Sequence, residues 1–161
     1  MRYSVWRIQS RVWAEDYYII LIYFFILFML PIAVEAEEGL WLIKNPSTFE
    51  RSEVAVASLN EKIYVIGGFM GFWVTDLVEE YDPSTDTWRK RAPLPQPLHH
   101  AAAAAVGGKI YVIGGFKRLW PWKPVNTVYE YNPTKDIWSE KSSMPTPRGA
   151  LSAGVIDERI Y

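Results

Sequence analysis

Cysteine is absent from the 161 residues, histidine occurs twice, and neither sign of charge is in excess, with 17 Lys and Arg against 18 Asp and Glu. The lack of thiols excludes a disulfide framework, thiolate metal sites and a Cys nucleophile. Two adjacent histidines, His99 and His100, are too few for a His-based metal cluster, so no metal or other cofactor is expected. A net charge of −1 removes the counterion-release drive for binding phosphate backbones, and nucleic acid is not an expected partner. What the chain has in quantity is apolar surface, 50% of residues, of which the aromatics make up 16% of the chain. Its length suits one domain.

The apolar residues are unevenly placed. Tyr17 to Val34 is a run of 18 uncharged residues, YYIILIYFFILFMLPIAV. As a helix it would be about 27 Å long, close to the thickness of a bilayer's hydrocarbon core. Arg2, Arg7 and Arg11 precede it and Glu35, Glu37 and Glu38 follow, so the bias of basic residues toward the cytoplasm puts the N-terminus inside and the rest of the chain outside. Two forms of export fit. Pro31, with Val34 and Ala36 before a cut, suits a cleaved signal peptide. The 16-residue leader, the pair Glu15 and Asp16 and the bulky aromatics suit a retained anchor. A buried core helix fits less well, because such helices keep a polar stripe. The expected organisation is a basic leader over 1–16, an anchor or signal over 17–36, and a separate region over 40–161.

That region repeats itself. Lys62 to Phe69 reads KIYVIGGF, and Lys109 to Phe116 reads the same eight residues 47 positions later. Tyr81-Asp82-Pro83 matches Tyr131-Asn132-Pro133, and Trp88 matches Trp138, both 50 residues apart. The three extra residues fall between the glycine pair and the tyrosine, which marks that segment as a loop. Trp41 stands 47 residues before Trp88, and Arg159-Ile160-Tyr161 aligns with Lys109-Ile110-Tyr111. Within a copy, Val54 to Leu59, Lys62 to Ile66, Leu77 to Tyr81 and Thr87 to Arg91 have strand composition and are separated by turn residues. An all-β chain of four-stranded antiparallel meanders is predicted. Ala101 to Ala105, which alone would suggest helix, aligns with the β-branched first strand and is read as an innermost strand.

A double glycine ending a strand, a tyrosine some 14 to 17 residues on and a tryptophan seven residues later, at a period near 50, resembles the kelch repeat. The resemblance covers 40–161 and implies β-propeller blades: an outer strand over 40–44, blades over 51–92 and 98–142, and the start of a third over 148–161. It implies structural roles for Gly67, Gly68, Tyr81, Trp88, Gly114, Gly115, Tyr131 and Trp138. The glycines would supply positive φ or close approach. The Tyr and Trp side chains would fill the wedge between blades. Propellers close with about four to eight blades, so about two and a half repeats form an incomplete ring, and the sequence reads as the N-terminal part of a longer protein. Such a fragment is expected to be marginal or oligomeric.

In a meander the turns after the second and fourth strands share one face. The loops 69–76, 93–100, 116–127 and 144–149 would therefore cluster, carrying Phe72, Trp73, Lys117, Arg118, Trp120, Trp122, Lys123 and Arg148. Aromatics beside cations suit stacking on a sugar ring or anchoring an acidic peptide, so the expected partner is a protein or a glycan. Alternatively Trp120 and Trp122 fold back over the blade edge. No catalytic residue is assigned. His99 and His100 read as surface turn histidines that point to opposite sides, and Asp76, Asp82, Asp86 and Asp136 as turn residues capping their own backbone. The resemblance leaves room for enzymes similar to galactose oxidase or the sialate mutarotases, with catalytic groups in blades not contained here. It also leaves room for a cytosolic kelch substrate adaptor, although the 39 residues before Leu40 are short and apolar for a helical oligomerisation domain. The leading expectation is an exported or membrane-tethered binding module.

Overall fold

A computed structural model of the protein describes Gly39 and residues 41–161. The expected apolar helix at 17–34 lies outside these residues, and among the described residues no helix is long and apolar enough to cross a membrane. Residues from Ile43 onward form one compact unit built entirely of strands and turns.

The first blade contains β1 (Ala55–Leu59), β2 (Lys62–Ile66), β5 (Val78–Asp82) and β6 (Thr87–Arg91), hydrogen-bonded in the order β1-β2-β5-β6 with every pairing antiparallel. The second repeats it with β7 (Ala102–Val106), β8 (Lys109–Ile113), β9 (Val128–Asn132) and β10 (Ile137–Lys141). A short hairpin, β11 (Val155–Ile156) with β12 (Arg159–Ile160), opens a third copy. Two departures from the sequence reading stand out. The segment after Phe69 forms its own two-stranded hairpin, β3 (Phe69–Met70) with β4 (Trp73–Val74), turning at Gly71 with φ of 61°. The outer strand expected over 40–44 is not formed at Trp41 to Lys44, and among the described residues no strand pairs with that segment.

The two glycines of each repeat hold backbone that a side chain could not. Gly67 and Gly68 have φ of 62° and 95°, and a Cβ on them would run into the Leu98 and Ser52 carbonyl oxygens. Gly114 stands against the Arg148 carbonyl in the same way. The Gly67 and Gly114 approaches mark where the second strand of a blade passes the chain entering the next one, and that of Gly68 where it passes the chain entering its own.

Strand alternation gives each blade two unlike sides. Tyr64, Ile66 and Val78 of the first blade pack with Ile110, Val112, Tyr129 and Tyr131 of the second in the core, and Glu80, on the same side as Tyr64, is buried in ion pairs with Arg89 and Arg91. Tyr131 meets Tyr64 edge-on with ring centroids 5.9 Å apart. Each fully buried side chain of this size contributes about 1.5–3 kcal/mol of transfer free energy. The alanines of β7 sit on the innermost strand beside β1, where Ala102 and Ala104 are buried. Larger groups there would force apart strands that the ring geometry brings close.

The motif aromatics also stitch neighbours together. Trp138 stacks on Tyr131 at 4.8 Å and donates its indole N–H to the Ala92 carbonyl at the end of the first blade, 2.8 Å away. Asp136 accepts from the Ala92 N–H at 2.9 Å and from the Tyr131 hydroxyl. The same pattern recurs one repeat earlier, where Trp88 donates to the Asn45 carbonyl and Asp86 accepts from the Asn45 N–H and from Tyr81. Asp86 and Asp136 thus cap the preceding segment of chain rather than their own turn. Asp82 alone behaves as the sequence suggests, accepting from the Ser84 N–H.

Candidate binding face

The loops that follow the second and fourth strands are tied to one another by backbone bonds. His99 N–H donates to the Phe116 carbonyl and Phe116 N–H to that of His99, at 3.0 and 2.8 Å. Val125 and Arg148 form a further bridge. A Cβ on Gly149 would run into the Phe116 ring, so this side chain fills the space between the 93–100, 116–127 and 144–149 loops.

His99 is the hub, and its position corrects the sequence reading. It is fully buried, not a surface turn residue, with its ring 4.2 Å from Phe69, 5.4 Å from Phe116 and 5.4 Å from Trp122 by centroids. Nor do the two histidines diverge. His100 has φ of 50°, which breaks strand alternation and brings the two Nδ1 atoms to 2.8 Å. His99 Nε2 lies 3.1 Å from the Arg118 carbonyl, and His100 Nε2 lies 3.0 Å from the Glu53 carboxylate. Burial, with the His100 charge nearby, pushes His99 below its ordinary value, although its bond to the Arg118 carbonyl opposes the change.

The singled-out residues divide into two sets around this hub. Trp122 packs on His100 at 4.9 Å and on Phe116 at 5.1 Å, so it does fold back onto the blade, while keeping 47% of its surface exposed. Phe72 and Trp73 at the β3–β4 turn, and Trp120 in the second loop, stand free at 82%, 76% and 84% exposure. Lys117, Arg118 and Lys123 are exposed beside them, and the Lys117 N–H meets the Lys123 carbonyl across the loop. Arg148 is exposed, with its Nε held by the Thr146 hydroxyl. Among the described residues no group of His, Cys, Asp and Glu is placed to hold a metal ion.

Register gives Arg148 a different meaning. Its carbonyl packs on Gly114 as that of Leu98 packs on Gly67, which makes Arg51, Leu98 and Arg148 equivalent positions in the three copies. Leu98 is buried, and Arg51 is buried in an ion pair with Glu79 at 2.7 Å while its Nη1 donates to the Gly67 and Leu77 carbonyls. This pair was missed by sequence reasoning. The available signal was the alignment itself, which sets Arg51 and Glu79 against Leu98 and Tyr129.

A family model described as Kelch motif matches residues 50–95 and 97–145, covering both blades. This chain belongs to the kelch-repeat family. Its repeats are 36% identical over 64 residues to Kelch-like protein 35 of Mus musculus, a stretch covering 40% of this chain and 10% of that protein. They are 35% identical over 54 residues to Kelch-like protein 4 of Homo sapiens, covering 34% of this chain and 8% of that protein. Human Kelch repeat and BTB domain-containing protein 12 is 32% identical over 66 residues, 36% of this chain and 11% of its own length. This kelch chain thus spans about a tenth of the length of the curated relatives it matches.

Proposed function

We propose that this kelch-repeat chain is an interaction module whose loop-bearing face takes a protein segment with acidic side chains flanking an apolar one. The observation that carries the reading is the 116–127 loop. It has Lys117, Arg118 and Lys123 and no carboxylate, and it holds Trp120 almost fully in solvent. An exposed indole costs solvation unless something covers it, and aromatic and Arg side chains are the ones that dominate binding energy at interfaces. Phe72 and Trp73 add a second apolar contact from the neighbouring blade. Arg148 belongs to this face through its bridge to Val125 and contributes charge there.

The test is binding of the full chain to a panel of acidic peptides, each with one central aromatic residue, at low and high salt. Expected is binding that weakens as salt rises, because exposed charge pairs are screened, and that falls about tenfold or more in Trp73→Ala/Trp120→Ala. Salt-insensitive retention of neutral oligosaccharides with no peptide binding would instead favour a glycan ligand stacked on the same indoles.

The apolar run 17–34, flanked by basic residues before and acidic residues after, supports placing the repeats outside the cytoplasm, tethered or secreted. Protease digestion of sealed membrane vesicles would check this: protected repeats in right-side-in vesicles support it, and digested ones oppose it. The BTB domain in the name of one relative favours a second reading, in which the repeats are one part of a larger adaptor. Cytosolic recovery of the intact protein would favour that reading.

A further inference from the structure

The histidine pair, with His99 buried and His100 half-buried, joins the elements that seat the second loop. His99 is gripped between Phe69 and Phe116, its Nε2 faces the Arg118 carbonyl, and His100 carries Trp122 on its ring. We propose that the His99–His100 pair is a pH-sensitive latch that seats the 116–127 loop, and with it Trp122, near neutral pH and releases it on acidification.

Proton counting supports this. A carbonyl oxygen only accepts, so His99 Nε2 bears a hydrogen and donates to Arg118. His99 Nδ1 is then an acceptor while its ring is neutral, and His100 Nδ1–H donates to it across 2.8 Å. The Glu53 carboxylate accepts from His100 Nε2–H at 3.0 Å. Three gaps hold three protons. Within the two rings a fourth proton could only go to His99 Nδ1. It would set two N–H groups against each other and add positive charge to a site lined by Phe69, Phe116 and Trp122. The titratable groups acting on His99 are His100 and Glu53, and the adjoining Lys117 and Arg118 side chains extend into solvent.

The direction of the effect follows. Burial lowers the affinity of His99 for a proton in the seated state relative to the open one. The open loop therefore binds more protons, and the seated loop loses stability as pH falls below the ordinary imidazole range. Acidification would thus free the Arg118 carbonyl and the Trp122 ring together. The consequence for binding rests on the reading of this face given above, whereas the latch itself can be measured without any ligand.

The full chain labelled with 5-fluorotryptophan would be followed by fluorine NMR between about pH 7.5 and 5. The Trp122 signal is assigned by its loss in Trp122→Phe, and that of Trp73 by its loss in Trp73→Phe. Expected is a Trp122 transition with its midpoint below the ordinary imidazole value, while Trp73 and the far-UV circular dichroism stay unchanged. In His99→Gln, whose amide can donate to Arg118 and accept from His100 without titrating, the transition should disappear. No Trp122 transition in the parent, the same midpoint in His99→Gln, or a transition shared by Trp73 would each overturn the latch. Because the parent titration needs no variant, a poorly folded His99→Gln leaves it decisive.

Discussion

Gly67 and Gly71 have nearly the same φ, 62° and 61°, yet different surroundings: the first faces the Leu98 carbonyl and the second open space. Changing Gly71 to Ala should cost only the left-handed conformation, about 1–2 kcal/mol. Gly67→Ala must also displace backbone, and we expect it to lower stability in urea by at least twice as much as Gly71→Ala. Equal losses would show that φ alone accounts for the glycine. The buried Arg51–Glu79 pair makes a second residue-scale case, since Arg51 Nε and Glu79 Oε1 have no partner and the sister blade holds Leu98 and Tyr129 in their place. Removing one member leaves a buried charge, so Arg51→Leu or Glu79→Gln alone should cost about 3–5 kcal/mol. The double change Arg51→Leu/Glu79→Tyr copies the second blade and should recover most of that loss in a thermal melt. The glycine requirement was legible from KIYVIGGF. The ion pair was not, because its members are 28 residues apart and neither position carries a charge in the other full copy.

At the scale of elements, the four strands of each blade were legible to within a residue because composition, turn chemistry and repetition agree. What escaped was set by single backbone angles. The alternation that should part His99 from His100 is broken at φ of 50° in His100, and the loop after Phe69 gains a hairpin from the turn at Gly71. The joint between blades depends on Asp136. Burial pushes its carboxyl up, but the Tyr131 hydroxyl and the Ala92 N–H outweigh that and hold it below the ordinary carboxylate range. A depressed native value means that stability is present above the unfolded value, near 3.8, and is lost as pH falls through the lower native one. Acid unfolding followed by circular dichroism should therefore lose part of its pH dependence below about pH 4 in Asp136→Asn. Asp136→Asn should also be less stable at neutral pH, since a neutral amide oxygen is a weaker acceptor for two donors. An unchanged acid limb would exclude Asp136 as a contributor.

For the whole molecule, the two sides of a blade are not equivalent in their cover. Ile110, Val112 and Tyr131 of the second blade are fully or almost fully buried against the first. Of their counterparts Tyr81 is also buried, but Ile63 and Val65 are only partly covered, and the neighbouring Val56 is half exposed. An apolar side of this kind drives association. Sedimentation of the chain should show concentration-dependent oligomers that decrease in Ile63→Lys, with the far-UV spectrum retained. A monomer at every concentration would refute this. The blade architecture was visible in the sequence because it repeats. The binding face was visible only as a set of loops, since whether Trp122 packs or protrudes depends on a histidine it meets in space.

The two full repeats differ in length only where the chain leaves the second strand. The ladders of the four-stranded sheets are made on either side of that segment, so its length is under little constraint from them. Lengthening a loop costs little, about 0.6 kcal/mol for each doubling. The segment after each glycine pair is thus a slot into which new recognition sequence can be written, by evolution or by an engineer, while the scaffold beneath it stays the same.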